Sequence, residues 1–511
     1  MTSSVAPRSP SSAGRPGESG FTREKTAWLV VAAVTLLGLV PRVWRLGEWN
    51  FQATEMFTLR DSVTLAFANP RPLIYLLNHF LVGSFRPLDE LGLRILPAIF
   101  GIVAVPVCYL IWRHLAGSRA AMISAFLVAV SPVLVLYSQL ARYWSLVFLL
   151  CAVYPYALYL GIRKGSRGWL VVGCVSAVLA ALSHPVSFVL LGGIALWLAP
   201  ELKREHLSRL WQQRAVRWGV GIMGLLAAAG LVRLTRLLVG WVTMHDLQPG
   251  YGQFLHGPRL ATGIRQVMYL AGFAESLTFP VVLLGVAGIY WLWNRGDRSL
   301  GRFLACLAGF HIGFLTLVSA RTSVSFYYLL PAVPVFYLGA GIFVDQLFRM
   351  ETPWRARWLL PTLMLALSVL AGAATLVSDT RDGRRYDFRG SARWILPRLE
   401  TGDVVFSDQP MVMGYYLPEH PVKHLLLDLE PLTLTMDELK QAGRGGALWI
   451  VAPAPSNARR PTLKQGGMID WIYGNCQLRN TVGVGRYDFR QDYLNIFRCP
   501  SAKVSEASPR P

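Results

Sequence analysis

Several ionisable side chains in this sequence stand beside apolar stretches, where a charge needs a physical reason. Placing a charge at membrane depth costs about 2.5 to 3.5 kcal/mol on insertion scales. The positions of this kind are Glu55, Asp61, Arg94, Arg142, His184 and Arg321. A carboxylate facing several arginines suits a reaction on a phosphate ester, because it can remove a proton from the acceptor while the arginines stabilise the anionic leaving group. We therefore predict Glu55 and Asp61 as catalytic residues, and the arginines and His184 as substrate-binding residues.

Each of these residues also has a structural interpretation that the sequence leaves open. Glu55 would then be a solvated loop acid, and Arg142 would extend its long side chain to lipid headgroups. Arg94 and Arg321 would mark the boundaries of membrane spans, and His184 would be a packed or hydrogen-bonded residue.

The elements that must position these residues are apolar helices. The chain has 511 residues, of which 53% are hydrophobic and 15% charged, and its mean hydropathy is +0.40. About twenty apolar residues cross a bilayer. Runs of this kind lie at 27–40, 120–136, 144–162, 219–232 and 358–377. We predict an α-helical polytopic membrane protein with about eleven spans, because these runs are apolar on all sides and lack the polar stripe of a soluble helix.

The basic residues indicate the orientation of these spans. The net charge is +21, but the cations lie between apolar runs and form no single patch, which argues against a nucleic-acid partner. They concentrate in the N-terminal segment and around 113–119, 163–167, 203–217, 295–302 and 349–357. The positive-inside rule then places the N-terminus in the cytoplasm and the C-terminus outside. We predict a multi-pass protein of the cell (inner) membrane.

Composition divides the chain into four segments. Residues 1–25 are rich in Ser, Pro, Gly and Arg and are predicted to form a disordered cytoplasmic tail. Residues 26–377 form the transmembrane domain, with a long first outer loop at 46–90, which is predicted to be functional because of its length. Residues 378–500 are predicted to form a small extracytoplasmic α/β domain, and residues 501–511 a disordered tail.

Short alternating segments support the α/β prediction for residues 378–500. The predicted strands are 404–407, 423–427, 448–452 and 494–497, and the predicted helices are 389–399, 411–417 and 436–442. Cys476 and Cys499 fall in this segment, where thiols oxidise, so we predict a disulfide, with two unpaired thiols as the alternative. No cluster of His, Cys or acids has metal-ligand spacing, so no metal site is predicted.

The run from Trp49 to Arg60, WNFQATEMFTLR, resembles the first-loop signature of bacterial family 39 glycosyltransferases of the GT-C fold. That family contains protein O-mannosyltransferases and the aminoarabinose transferase of lipid A. Similar stretches follow in the family's order. They are RPLIYLLNH at 71–79, LRILPAIFG at 93–101, SP at 131–132 with YSQLAR at 137–142, YLLPAVP at 328–334 and DFRG at 387–390.

The resemblance implies the transfer of a sugar from a polyprenyl-phosphate carrier to a lipid, glycan or protein acceptor on the outer face. It implies an inverting reaction without cofactor or catalytic metal, with Gln139 and Tyr328 as further substrate-binding residues. The family's first loop normally carries Asp-Glu, whereas this chain has Thr54-Glu55. The base would then be Glu55 or another outer acid, namely Asp61, Asp246 or Glu275, or the protein would not turn over.

Two other functions remain open. A non-catalytic scaffold of the same fold in envelope glycan assembly would explain Thr54. A transporter or flippase of a lipid carrier would also need many spans and a few charges. Transporters usually have paired halves and charges near the membrane midplane, whereas these charges gather at one face and no half-repeat is visible.

Overall fold

A computed structural model defines the architecture of the chain. It describes residues 18–65, 69, 71–200, 268–319, 324–350, 354–382, 386–425, 446–453, 468–483 and 493–499. The predicted apolar run 219–232, the predicted helix 436–442 and the predicted tail 501–511 lie outside these residues. The protein is mostly helical, with one small sheet near its C-terminus. The predicted helical membrane fold with a C-terminal α/β region is therefore confirmed.

The helices of the N-terminal half are α1 (Glu18–Val43), α2 (Ala53–Val63), α3 (Pro72–Leu77), α4 (Glu90–Ala116), α5 (Ser118–Val130), α6 (Pro132–Ser138), α7 (Trp144–Lys164), α8 (Arg167–Ser183) and α9 (Val189–Leu198). Those of the next part are α10 (Met268–Leu277), α11 (Phe279–Arg295), α12 (Arg298–Ser319), α13 (Val333–Arg349) and α14 (Trp354–Asp382). Helix α1 begins inside the segment 1–25 that was predicted as a disordered tail, because residues 22–25 include the helix formers Arg23, Glu24 and Lys25.

Within the described residues, six helices are long and apolar enough to cross a membrane, or eight if each of two bent pairs is one span. The bent pairs are α5 with α6, at 58°, and α10 with α11, at 93°. The predicted number of about eleven stays a prediction, because residues 201–267 are not described.

Burial separates the central helices from the outer ones. In the most apolar 18 residues of α7, 83% are buried, against 17% in α1 and in α14. An apolar helix whose side chains are exposed needs lipid as its partner. Helix α13 packs against α11 closely enough that a Cβ at Gly288 would overlap the carbonyl oxygen of Gly339. Small residues permit such backbone contact between membrane helices.

The predicted span 120–136 is interrupted at Pro132, which starts α6 at a position where a helix needs no N–H donor. Two side chains satisfy the carbonyls around this break. The Arg42 guanidinium is fully buried and donates to Gly38 O, Ala129 O and Val128 O at 2.7, 2.7 and 2.9 Å. In the other direction, Gln139 Nε2 donates to Pro41 O at 2.6 Å and to Trp44 O at 3.1 Å. The end of α1 and the α5–α6 break therefore cap each other.

The C-terminal region contains helices α15 (Phe388–Ile395), α16 (Pro410–Tyr416) and α17 (Met468–Asn475). Its strands are β1 (Val404–Ser407), β2 (Val422–His424), β3 (Leu448–Pro453), β4 (Gln477–Val482) and β5 (Leu494–Cys499), in the order β2-β1-β3-β5-β4. Strand β1 pairs in parallel with β2 and β3, whereas β5 pairs antiparallel with β3 and β4. A disulfide joins Cys476 to Cys499. Helix α17 and strand β4 were not predicted from the sequence. Most side chains of β4 are exposed, so the strand shows little alternation of apolar and polar residues.

The sheet region contacts the first loop directly. Tyr416 of α16 accepts a hydrogen bond from Phe51 N at 2.8 Å, and Asn50 Nδ2 donates to Tyr386 O at 2.8 Å. Arg389 of α15 forms an ion pair with Glu90, the first residue of α4. These contacts fix the sheet region against one end of the helical bundle, which we call the sheet-side end.

Candidate functional site

The first loop forms two short helices at the sheet-side end, α2 and α3. Helix α2 starts with a capping box, in which Gln52 N donates to Glu55 Oε2 at 2.8 Å. This arrangement satisfies backbone donors that a helix start otherwise leaves unpaired. The chain continues from α3 into a single π turn, Asn78–Val82.

Glu55 and Arg94 form a buried ion pair in which both residues are 0% exposed. Arg94 Nε donates to Glu55 Oε1 and Arg94 Nη2 to Glu55 Oε2, each at 2.9 Å. Glu55 Oε1 also accepts from Ala141 N at 2.8 Å. Arg94 uses its remaining donors on the carbonyls of Leu46, Trp49 and Asn50. The pair therefore fastens the first loop to α4 and to the turn before α7.

This geometry departs from the sequence prediction for both residues. A carboxylate that accepts two arginine donors and two backbone N–H groups, with no exposed surface, offers no lone pair to an acceptor molecule. Arg94 is equally inaccessible and equally satisfied. In this structure the Glu55–Arg94 pair holds the first loop in position.

Two other arginines lie at the surface of the site, and we call Arg71 and Arg142 the arginine pair. Both guanidinium groups stand over the ring of Tyr143, with Cζ 5.1 Å and 4.7 Å from its centroid. Arg142 donates to Thr54 O at 2.8 Å, to Thr58 Oγ1 at 3.2 Å and to the Tyr143 hydroxyl at 3.1 Å. Arg71 Nε is buried without a hydrogen-bond partner. Among the residues described, no acid forms an ion pair with either arginine.

His184 lies beside the arginine pair, at the turn between α8 and α9. Burial, together with the charges of Arg71 and Arg142, holds the pKa of His184 well below its usual value, so the imidazole is neutral. Its Nδ1 accepts from Val186 N at 3.0 Å, which places the ring proton on Nε2. That Nε2 atom is buried and has no partner. The site therefore contains two cations and one neutral N–H donor.

An aromatic wall flanks these donors. The His184 ring stacks on Trp144 with centroids 4.9 Å apart, and Tyr327 and Tyr328 approach Trp144 at 5.2 and 5.9 Å. Such rings present apolar faces together with the polar groups of Tyr and Trp.

Asp61, near the end of α2, lies on the same side of the first loop. It is 3% exposed and accepts from Arg60 at 2.9 and 3.0 Å and from Asn69 Nδ2 at 2.6 Å. Asn69 Oδ1 in turn accepts a hydrogen bond from Arg71 N at 3.1 Å. The Asn69 side chain therefore connects Asp61 to the backbone of Arg71, and the cationic partner of Asp61, Arg60, is an exposed side chain.

The remaining predicted site residues have different positions. Gln139 is 4% exposed, and its amide group caps α1, as described above. Glu275 is exposed on α10. Arg321 and Asp246 lie outside the described residues. Sequence reasoning missed Arg71 as a site residue, although it opens the RPLIYLLNH stretch, because only the fold brings it to Tyr143, 72 positions further on.

Comparisons with known proteins agree with this architecture. A family model described as dolichyl-phosphate-mannose-protein mannosyltransferase matches residues 80–212. The crystal structure of ArnT from Cupriavidus metallidurans in the apo state is similar over 96% of this chain and 100% of that chain, with a TM-score of 0.57 and 15% identity. The crystal structure of ArnT from Cupriavidus metallidurans bound to undecaprenyl phosphate is similar over 97% of this chain and 100% of that chain, with a TM-score of 0.56 and 14% identity.

The archaeal oligosaccharyltransferase AglB from Archaeoglobus fulgidus, in complex with an inhibitory peptide and a dolichol-phosphate, is similar over 85% of this chain and 70% of that chain. Its TM-score is 0.56 at 14% identity. Similarity at this level of identity concerns the fold. The protein is a multi-pass membrane protein with the GT-C fold, and the resemblance that the sequence indicated is confirmed.

One further match is of a different kind. The Na(+)/H(+) antiporter NhaA 1 of Myxococcus xanthus is 28% identical over 216 residues, which are 42% of this chain and 43% of the antiporter. The chain thus matches less than half the length of this curated relative.

Proposed function

We propose that the protein transfers a sugar from a polyprenyl-phosphate carrier to an acceptor, and that the arginine pair binds the carrier phosphate. The observation that supports this proposal most directly is the position of Arg71 and Arg142. Their guanidinium groups contact the ring of Tyr143, and neither has an acidic partner among the described residues. A phosphate bound beside these two cations would be stabilised by charge-assisted hydrogen bonds from the guanidinium groups. The Nε2–H of His184 supplies a third donor to the same anion.

A groove in the helical bundle fits the apolar part of such a carrier. It has a volume of about 610 Å³ and is lined by side chains of α10, α11, α12 and α13, among them Phe273, Val286 and Phe336. Helix α10, which forms one side of the groove, packs against the turn that carries Tyr327 and Tyr328. A prenyl chain lying in the groove would therefore begin beside the aromatic wall.

We assign proton removal from the acceptor to Asp61 and a positioning role to Glu55. Asp61 lies near the arginine pair and is held by an exposed arginine and an asparagine, so a small movement of Arg60 frees one of its oxygens. Direct attack of the activated acceptor on the anomeric carbon, with the lipid phosphate as leaving group, inverts that carbon. No metal is needed, since the arginine pair takes the charge of the leaving group.

A transfer assay tests this function. Membranes containing the protein would receive undecaprenyl phosphate carrying tritiated glucose, mannose or aminoarabinose, and label would be followed into lipid, glycan and protein fractions. We expect transfer from one donor, and a loss of about a hundredfold or more in Asp61→Asn, which is typical of removing a general base. The matched control is Asp89→Asn in the same loop, because asparagine keeps the N-cap that Asp89 gives α4.

Two results would contradict the proposal. No transfer with any donor would favour the non-catalytic scaffold, and full activity in Asp61→Asn would remove Asp61 as the base.

We further propose, from the distribution of basic residues, that the sheet region and the site face the outside of the inner membrane.

A transport function is the second candidate, and the partial match to an antiporter favours it. Ion transport usually relies on ionisable side chains within the membrane. In the six described helices that are long and apolar enough to span a membrane, the acids lie at or near the ends of the spans: Glu24 and Glu90 are first residues, and Asp345 is four residues before the end of its span. Arg349 and Arg119 pair with Asp345 at the end of α13 opposite the site. Sodium uptake into sealed vesicles, without any sugar transfer, would support the transporter over the transferase.

A further inference from the structure

A second polar pocket lies between the first loop and the sheet region, and we call it the seam pocket. Its volume is about 340 Å³. Its lining includes Glu90, Arg389, Arg393, Tyr415 and Tyr416. None of these residues belongs to the arginine pair or the aromatic wall, so the seam pocket is a separate cavity.

The seam pocket carries one uncompensated positive charge. Glu90 forms an ion pair with Arg389 and accepts a hydrogen bond from the Tyr416 hydroxyl at 2.7 Å. Arg393 lies four residues after Arg389 on α15, hence on the same helix face. It is exposed and forms no ion pair or hydrogen bond with any residue the structure describes. The pocket therefore favours an anionic ligand.

Aromatic surface lies next to this charge. Tyr415 is 37% exposed and meets Phe51 and Tyr416 edge to face, with centroids 5.1 Å away in each case. These contacts fix the Tyr415 ring while leaving part of its surface accessible. A fixed aromatic ring beside hydroxyl and guanidinium donors is suited to a sugar ring, which offers C–H groups to the ring face and hydroxyls to the polar groups.

We propose that the seam pocket binds an anionic saccharide, namely a sugar that carries one phosphate or carboxylate group, and that this saccharide is part of the acceptor. The acceptor role rests on the proposed transferase function. The wall of the pocket and the active-site loop are connected, because Tyr416 accepts from Phe51 N and the same loop contacts Arg142 through Thr54 O. An acceptor held in the seam pocket is therefore anchored next to the loop that borders the arginine pair.

Ligand binding to the full-length protein in nanodiscs tests the proposal without requiring turnover. Saturation-transfer NMR would compare glucose 1-phosphate, glucose and inorganic phosphate as probes. We expect glucose 1-phosphate to bind more tightly than either of the others, because it alone engages both the aromatic surface and Arg393. Arg393→Gln should weaken its binding about tenfold, the effect of one charge-assisted hydrogen bond. Arg398→Gln is the control, since Arg398 stands over Trp394 of the same region outside the pocket.

Three outcomes would overturn the proposal. These are equal affinity for inorganic phosphate and glucose 1-phosphate, unchanged binding in Arg393→Gln, and loss of binding in an Arg71→Ala, Arg142→Ala double variant, which would place the probe at the arginine pair. Undecaprenyl phosphate binding, measured on the same samples, should be unchanged in Arg393→Gln. If the wild-type protein binds glucose 1-phosphate but no undecaprenyl phosphate, the seam pocket is supported and the proposed function fails.

Discussion

At the scale of single residues, the structure separates two groups of charges that look alike in the sequence. Glu55 and Arg94 neutralise each other in the interior, whereas Arg71 and Arg142 stand together without an acid among the described residues. A completely buried charge pair holds two chain segments together, whereas cations without an acidic partner attract an anion. Because Thr54 replaces the family's aspartate and Glu55 is fully paired, Asp61 is the better candidate for the base.

The role of Glu55 can be tested by Glu55→Gln. Removing one partner leaves Arg94 charged and unpaired in the interior, so we expect a loss of about 3 to 5 kcal/mol of stability. The measurement is the thermal unfolding of the purified protein in detergent, with Glu48→Gln as control, because Glu48 is exposed in the same loop. If Glu55→Gln unfolded like the wild type while transfer was abolished, Glu55 would be the base and our assignment would be wrong.

At the scale of elements, the positions of many helices and strands could be predicted from the sequence, because apolar runs and short alternating segments reflect local chemistry. Strand β1 and the span α7 begin where the sequence predicts them. The break at Pro132 was not predicted, because a proline also fits the first turn of a continuing helix. The site was less predictable, since the partners of Glu55, Gln139 and Arg71 lie between 39 and 98 positions away.

The mutual capping of α1 and the α5–α6 break predicts a positioning role for Gln139. In Gln139→Leu the carbonyls of Pro41 and Trp44 lose a donor, and the turn that carries Arg142 loses its attachment. We expect undecaprenyl phosphate to bind about tenfold more weakly, together with a lower unfolding temperature. Gln409→Leu, in the sheet region, serves as the control. A lower unfolding temperature with unchanged lipid affinity would limit Gln139 to a purely structural role.

The disulfide between Cys476 and Cys499 should stabilise the sheet region. It closes a loop between residues 23 positions apart, which corresponds to about 3 kcal/mol in the chain-entropy model. In a Cys476→Ser, Cys499→Ser variant, backbone amides of β3 and β5 should exchange with deuterium more than a hundredfold faster, while those of α7 should not change. Cys306→Ser, a free cysteine of the bundle, is the control. Unchanged exchange in β5 would contradict this account.

At the scale of the whole molecule, the site forms where the helical bundle, the first loop and the sheet region meet. The proposed boundaries, a membrane domain at 26–377 and an α/β domain at 378–500, place the contacts of Tyr416 and Arg389 across their interface. The arginine pair lies on the bundle side of the first loop and the seam pocket on the sheet side. We infer that the loop separates a donor site from an acceptor site.

The most direct test of this account is the affinity of the purified protein for undecaprenyl phosphate, measured in nanodiscs with Arg71→Ala, Arg142→Ala, the double variant and the control Arg398→Ala. We predict saturable binding to the wild type and to the control. Each single variant should bind about tenfold more weakly, and the double variant more weakly still, because each arginine contributes a charge-assisted hydrogen bond. Wild-type affinity in the double variant, at an unchanged unfolding temperature, would contradict the assignment of the arginine pair as the phosphate site.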